Sequence, residues 1–228
     1  TADHTAEVFR SEMNLAQGTV YVNGKQMGQH KGGYTPFAID ITTALQDGEN
    51  DLCVRVQDDP DCTQPRGKQY WAEGLMGCWY TPVSGIWQTV YMEAVGEYGL
   101  KYVHVTPDID NHMFTAEIAL DKRPTCPLDL ELTVTFEGKL KRKVVVNCDD
   151  RITRVPVDLI TKADLDPVYI WQPGTPFLYD LKVRVLKDGA AVDTVDTYFG
   201  MRKVEVKEGR IYLNNNPLYQ RLILDQGY

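Results

Sequence analysis

Apolar and polar residues alternate with a period of two along several stretches of this chain. Between residues 128 and 136, leucine, valine and phenylalanine occupy the even positions, and acidic residues and threonine occupy the odd ones. The segments 52–56 and 181–185 alternate in the same way. Because successive side chains of a strand point to opposite faces, this pattern predicts strands with one buried and one wet face. No window of helical length carries an apolar stripe, and 160–165 is predicted to form at most one helical turn. The fold class is therefore predicted to be all-β.

Turn signals separate these strands. Asn23-Gly24 lies between Val20-Tyr21-Val22 and Lys25-Gln26-Met27 and predicts a hairpin, since a type I′ turn needs positive φ at both central residues. Similar signals occur at 48–50, 137–138 and 188–189. The basic run 139–143 follows one of these turns, which predicts a charged edge strand that discourages pairing with other sheets.

The strands fall into two groups, with a seam near 94–100. Before the seam we predict about five strands with long aromatic-rich connections, and after it about seven short strands. The second group has the size and strand count of an immunoglobulin-like sandwich. The segment 58–82 is the longest connection, and long loops in compact domains are often functional. It is therefore the first place to look for a site.

Composition and charge limit the classes of molecule that this chain is expected to bind. The 228 residues are 43% hydrophobic, and 24 basic against 32 acidic side chains give a net charge of −8. A net acidic surface argues against nucleic acid or an anionic membrane as the main partner, and it is compatible with a neutral ligand. The sequence contains no apolar run long enough to span a membrane. The histidines lack the spacing of metal ligands, so neither a metal nor a cofactor is predicted.

The number and spacing of the cysteines bear on the compartment. The five are Cys53, Cys62, Cys78, Cys126 and Cys148, an odd number without the close spacing of a metal or redox motif. Free thiols in a reducing compartment are favoured over a disulfide framework, and hence the cytoplasm over the periplasm or secretion. The chain begins with threonine, so it is expected to be a piece of a longer protein, and the lack of a signal peptide carries no information.

Five segments, taken in their order, resemble the front of one enzyme family. The chain is similar to the first two domains of the family 2 glycoside hydrolases, which include β-galactosidases, β-glucuronidases and β-mannosidases. The segment 84–93 resembles the last strand of the family's first domain. The segments that carry the resemblance are 20–58 (with GGYTPF, DIT and GEN), 84–93 (SGIWQTVYME), 170–179 (IWQPGTPFLY), 198–205 (YFGMRKVE) and 211–218 (IYLNNNPL).

The resemblance implies three regions. Residues 1–96 would form a sugar-binding jelly-roll sandwich, shortened at its start. Residues 97–205 would form an immunoglobulin-like sandwich, and 206–228 the hairpin that leads into a (β/α)8 barrel. Such a barrel takes about 250 residues, far more than follow Lys203, so it is expected to be missing from this chain.

The chemistry of the family would then lie elsewhere. Retaining glycosidases use two carboxyl groups about 5 Å apart, carried in barrel enzymes by the ends of barrel strands. The family's acid/base glutamate follows an asparagine, and no Asn-Glu dipeptide occurs in this chain. We therefore predict that it contains no catalytic residue and has no glycosidase activity by itself.

One loop is still predicted to touch substrate. In several relatives an aspartate five residues before the equivalent of Ser84 reaches a sugar hydroxyl, but this position is Trp79 here. An aromatic ring can stack on the apolar face of a pyranose. The predicted substrate-binding residues are therefore Gln69, Trp71, Trp79 and Tyr80. Packing of the same aromatics against a partner domain is the alternative.

Two functions from different classes remain open. The first is the non-catalytic accessory region of a retaining glycosidase, with the β-galactosidase type favoured. Its partners would be carbohydrate and its own barrel, and a further role would be assembly of a homo-oligomer. The second is a free-standing carbohydrate-binding module or lectin.

Overall fold

The computed structural model describes residues 5–8, 13–14, 17–58, 67–72, 74, 77–160 and 167–224. These residues form eighteen strands and one short 3-10 helix, which confirms the all-β prediction. None of the helices in this part of the chain is long and apolar enough to cross a membrane. The predicted helical turn at 160–165 falls almost wholly outside the described residues.

The chain divides into two compact units, Thr1–Val95 with Leu222–Tyr228, and Gly96–Arg221. The first unit contains three small sheets, with strand orders β5-β1-β8, β2-β7 and β4-β3-β6. Its strands are β1 (Thr5–Val8), β2 (Met13–Asn14), β3 (Gln17–Val22), β4 (Lys25–Lys31), β5 (Ile39–Asp40), β6 (Leu52–Gln57), β7 (Gly85–Ile86) and β8 (Met92–Val95), with the 3-10 helix at Thr42–Ala44.

The hairpin of the first unit forms where the sequence predicts it. Asn23 and Gly24 have φ angles of 51° and 77° and join β3 to β4, as a type I′ turn requires. The Asn23 side chain also donates to the Ala44 carbonyl at 2.8 Å and accepts from the Asp51 amide at 2.9 Å. Asn23 therefore shapes the turn and links it to the last residue of the 3-10 helix and to the residue before β6.

The segment 84–93 departs from its prediction as one continuous strand. It contains two short strands, β7 and β8, which pair with β2 and β1 in different sheets. Gly85 has a φ of 121°, in the region that side chains disfavour, and residues 87–91 are not strand. The prediction of a single strand, which the family resemblance implied, was wrong because a resemblance in sequence does not show where the chain leaves one sheet and joins another.

The second unit is a sandwich of a three-stranded and a four-stranded sheet, followed by a small hairpin sheet. The strand orders are β13-β10-β9, β12-β11-β14-β15 and β16-β17-β18. The strands are β9 (Leu100–Asp108), β10 (Met113–Leu120), β11 (Asp129–Phe136), β12 (Lys139–Asn147), β13 (Ile152–Asp158), β14 (Tyr179–Lys187), β15 (Ala190–Phe199), β16 (Val204–Lys207), β17 (Arg210–Leu213) and β18 (Asn216–Pro217).

The core of the second unit follows the predicted alternation. Leu130, Leu132 and Val134 of β11 are fully buried and belong to one core with Val183 of β14 and Phe114 of β10. Side chains from both sheets thus fill a single interior, as in an immunoglobulin-like sandwich. The edge-strand prediction is also confirmed, since β12, which carries the basic run, lies at one edge of its sheet.

A charged row crosses the wet face of the same sheet. The Glu131 side chain is only 10% exposed, with Lys143 Nζ 3.0 Å and Arg184 Nη1 2.8 Å from its two oxygens. The hydrogen bond from Lys143, and then that from Arg184, lowers the pKa of Glu131 although burial opposes the shift. A carboxyl whose pKa is lowered by folding adds stability above its unfolded pKa and loses it as the pH falls.

Replacement of this carboxylate should therefore have a pH-dependent cost. Glu131→Gln is expected to lower the free energy of unfolding at pH 7 by about 1–2 kcal/mol, since two charge-assisted hydrogen bonds are lost. The difference from wild type should shrink as the pH falls through the native pKa of Glu131. Urea unfolding measured at several pH values checks this. Asp196→Asn is the control, because Asp196 forms an exposed pair with Lys182 on the same sheet and should matter little at any pH.

The cysteines that the structure describes are free thiols. Cys53 and Cys78 are exposed, Cys126 is partly buried, and Cys148 is buried with its pKa raised by desolvation. Cys62 lies outside the described residues. No disulfide links the four, and the predicted reducing compartment stays a prediction.

Candidate functional site

The described part of the predicted loop is built around two backbone segments that lie side by side. The Tyr70 amide donates to the Tyr80 carbonyl at 2.9 Å, and the Tyr80 amide donates to the Lys68 carbonyl at 2.8 Å. Gln69 is the residue opposite Tyr80 in this parallel bridge. Its Oε1 accepts a hydrogen bond from the Val83 amide at 2.8 Å. The Gln69 side-chain oxygen thus stabilises the loop. The NH₂ group of Gln69 is the part of this side chain that is suited to bind a ligand.

The aromatic side chains of this loop contact one another. The Trp71 and Trp79 ring centroids are 4.9 Å apart with an interplanar angle of 84°, and the Tyr70 and Trp71 centroids are 5.2 Å apart. Edge-to-face packing of this kind is a favoured aromatic geometry. Trp71 is 41% exposed and Tyr80 49% exposed, whereas Trp79 is partly buried. We call Tyr70, Trp71, Trp79 and Tyr80 the aromatic platform.

The structure brings all four predicted site residues together. Gln69 lies opposite Tyr80 in the bridge, and the Trp71 and Trp79 rings pack edge to face. This arrangement offers exposed ring surface beside an amide group, which suits a neutral ligand with one apolar face and polar rims. Contact with a sugar stays a prediction.

A hydrogen bond at the base of the loop was not predicted. The Ser84 hydroxyl donates to Asp58 Oδ2 at 2.6 Å, which joins the residue after β6 to the residue before β7. The two ends of the long connection are thereby held together, in addition to the bond between Gln69 and Val83. The one signal in the sequence for this contact is that Asp58 and Ser84 lie at the two ends of the loop.

A second aromatic group in the first unit also escaped prediction. The His30 and Phe37 rings stack with centroids 4.4 Å apart and an interplanar angle of 6°. Trp87 is 50% exposed, and its Nε1 lies 3.5 Å from the Gly33 carbonyl. Trp87 therefore shows much ring surface while its indole N–H is engaged by the backbone.

An apolar groove lies elsewhere in the first unit. Its volume is about 270 Å³, and it runs beside β8, where Met92 is 63% exposed. The residues around it are Val22, Ile41, Leu45, Asn50, Asp51, Leu52, Val90, Tyr91 and Met92. Among the residues that the structure describes, no group of three or more His, Cys, Asp or Glu side chains could hold a metal ion.

Two family models match the chain in succession. The model described as glycosyl hydrolases family 2, sugar binding domain, matches residues 2–92, and the model described as glycosyl hydrolases family 2 matches residues 100–202. Together they cover most of the chain, in the order that the resemblance predicted. They confirm the predicted fold class of two successive sandwiches, and the predicted bounds 1–96, 97–205 and 206–228 stay a prediction.

Curated relatives are similar over nearly the whole chain. A β-galactosidase of Thermoanaerobacter pseudethanolicus is 27% identical over 89% of this chain and 27% of its own length. A putative β-glucuronidase of Formosa agariphila is also 27% identical, over 89% of this chain and 24% of its own length. The chain thus spans about a quarter of the length of these relatives.

Solved structures share the fold. The β-glucuronidase from Ruminococcus gnavus superposes with a TM-score of 0.70 at 19% identity, over 96% of this chain and 37% of that protein. A glycosyl hydrolase family 2 member from Bacteroides cellulosilyticus superposes with a TM-score of 0.69 at 19% identity, over 94% of this chain and 29% of that protein.

Proposed function

Because the chain belongs to family 2 of the glycosyl hydrolases, we propose that it is the non-catalytic accessory region of a retaining glycosidase that acts on β-glycosidic bonds. The two successive family matches carry this proposal, together with relatives that are about four times longer. The catalytic carboxylates would then lie in the part of the protein beyond these two domains, and this chain alone would hydrolyse no β-glycoside.

Among the enzyme types, we favour a β-galactosidase. The run 79–90 (WYTPVSGIWQTV) motivates this choice. The relatives include β-galactosidases and β-glucuronidases at equal identity, so overall similarity does not separate the two types. Activity of the longer protein on p-nitrophenyl β-galactoside and p-nitrophenyl β-glucuronide would do so.

The aromatic platform is suited to form one wall of the sugar site. It presents two exposed rings, Trp71 and Tyr80, on a loop whose two ends are joined by the Asp58 and Ser84 side chains. A pre-formed surface loses little conformational entropy when a ligand binds. The platform offers ring faces, and the Gln69 amide lies beside it. Its role would therefore be orientation of the sugar and not catalysis.

The end of the described chain is suited to contact a further domain. Tyr219, Ile223 and Leu224 are 85%, 92% and 82% exposed, and Leu222 is 77% exposed. A run of exposed apolar side chains marks a surface that another structure covers. We assign that role to the protein's own catalytic barrel, which the accessory region would brace.

The reading frame after Tyr228 separates this proposal from its rival. A coding sequence that continues for about 250 residues or more would supply the barrel. The extended protein should then hydrolyse a β-glycoside with retention while the 228-residue chain does not. A stop codon directly after Tyr228 would favour a free-standing binding module, and hydrolysis by the 228-residue chain would refute the non-catalytic role.

The sugar-contact role predicts a specific loss of binding. Trp71→Ala should weaken the affinity of the chain for methyl β-galactoside by about three- to tenfold, since one stacking surface is lost. Titration followed by the indole N–H resonances measures this, and the Trp71 and Trp79 signals should shift in the wild type. Trp87→Ala is the matched control, because Trp87 is also an exposed tryptophan of the same unit, 50% against 41% for Trp71, but lies outside the platform. Indole signals that stay unchanged up to the solubility limit of the sugar would rule the contact out.

A further inference from the structure

The hairpin at the end of the second unit is held by a closed triad of side chains. Lys203 Nζ lies 2.8 Å from Asp110 Oδ2 and donates to Asn215 Oδ1 at 3.0 Å. Asn215 Nδ2 in turn donates to Asp110 Oδ1 at 2.7 Å. The hydrogen bond from Lys203, and then that from Asn215, lowers the pKa of Asp110. The triad thus joins the β9–β10 turn, the start of the hairpin and its second turn.

Asn214 adds a second attachment next to the first. Its Nδ2 donates to the Trp171 carbonyl at 2.9 Å, and its Oδ1 accepts from the Lys203 amide at 3.0 Å. The Trp171 amide donates to the Met201 carbonyl at 2.9 Å, and the Arg202 guanidinium lies 4.9 Å from the Trp171 ring centroid. The turn is therefore tied to the segment before β14 as well as to Asp110.

The choice of residue in this turn indicates that its side chains matter. In the other two-residue turns with positive φ that the structure describes, the second residue is glycine. They are Asn23-Gly24, Glu137-Gly138, Asp188-Gly189 and Glu208-Gly209. Here both residues are asparagine, with φ angles of 51° and 67°. Glycine adopts this positive φ at a lower conformational free energy than asparagine does. Asparagine at the second position therefore has a less favourable backbone conformation, and it supplies a side-chain amide that binds Asp110 and Lys203.

We propose that Asp110, Lys203, Asn214 and Asn215 form a latch that sets the direction in which the chain leaves the second unit. Directly after the latch, β18 ends and the exposed residues Leu218 and Tyr219 follow within the second unit. A fixed departure presents these residues in one orientation, and so reduces the entropy lost when another domain covers them. The covering domain rests on the proposed function, but the latch itself does not. Its residues act by positioning the chain that follows them.

Asn215→Gly tests the latch, because glycine keeps the turn conformation and removes only the amide. Amide hydrogen exchange over 204–217 is expected to accelerate by about tenfold or more, as a locally opened hairpin would show. The amides of β11 should keep their wild-type exchange rates. Lys203→Met removes a different member of the triad and should give the same pattern.

Glu208→Gly is the matched control, since Glu208 has a φ of 51° in the other turn of the same hairpin and lies outside the latch. It should leave the exchange of the turn at 214–215 unchanged. Unchanged hairpin protection in both Asn215→Gly and Lys203→Met would overturn the latch. The experiment uses neither sugar nor a further domain, so its outcome is independent of the proposed enzymatic role.

Discussion

Leu132→Ala is expected to lower the free energy of unfolding of the second unit by about 3–4 kcal/mol. Leu132 is fully buried on β11, which pairs with β12 on one side and β14 on the other. Removal of a leucine side chain from such a site loses the free energy of transferring that side chain from water to the core. It also leaves a cavity, which cannot close because β11 is hydrogen-bonded to a strand on each side.

Guanidinium-induced unfolding, followed by a probe of the second unit, measures this effect. Thr133→Ala is the control on the same strand, because Thr133 points to the wet face and should change stability by less than about 1 kcal/mol. Equal effects at positions 132 and 133 would mean that the alternation along β11 does not define the core.

Gly96→Ala should destabilise the second unit by about 2–3 kcal/mol, the second largest effect that we expect. A Cβ on Gly96 would lie 2.7 Å from the Val192 carbonyl oxygen, closer than real Cβ contacts come. The obstacle is backbone of β15, so the strand must shift for the methyl group to fit. The adjoining residues bind the same strand, since the Leu100 amide donates to Asp193 at 2.6 Å.

Gly28→Ala separates this cause from a general effect of adding a methyl group. There the new Cβ would meet only side-chain atoms of Ile39, Cδ1 at 2.8 Å and Cγ1 and Cγ2 at 3.1 Å, so a side chain and not a strand has to shift. Thermal unfolding of both variants should therefore show the larger loss for Gly96→Ala. A wild-type melting temperature for Gly96→Ala would mean that the start of the second unit packs more loosely against β15 than the distance indicates.

Several elements were predictable because their signals are local. The alternation at 128–136 sets which face of β11 is buried, and a period of two permits only one such assignment. Asn23-Gly24 predicted its hairpin because few dipeptides tolerate positive φ twice in succession. The basic run 139–143 predicted an edge strand for an equally local reason, the cost of unpaired edges that attract other chains.

The segment 84–93 shows where local signals fail. Its partners, β1 and β2, lie about eighty residues earlier in the chain, and nothing within the segment records which of them each part pairs with. The aromatic platform was predicted as a cluster on a loop. The hydrogen bond between Asp58 and Ser84 joins residues 26 positions apart, and the contact between Asp110 and Lys203 joins residues 93 positions apart. Neither contact was predicted from the sequence.

The sequence by itself determined the all-β class, the second sandwich with its inward and outward faces, and the family to which the chain belongs. Each depends on patterns within about ten residues or on ordered motifs. Tertiary structure alone decided how the loop is held, how the last hairpin is attached to Asp110 and Trp171, and where Gly96 meets Val192. These contacts depend on distances between residues far apart in the chain, which are set only when the sheets pack.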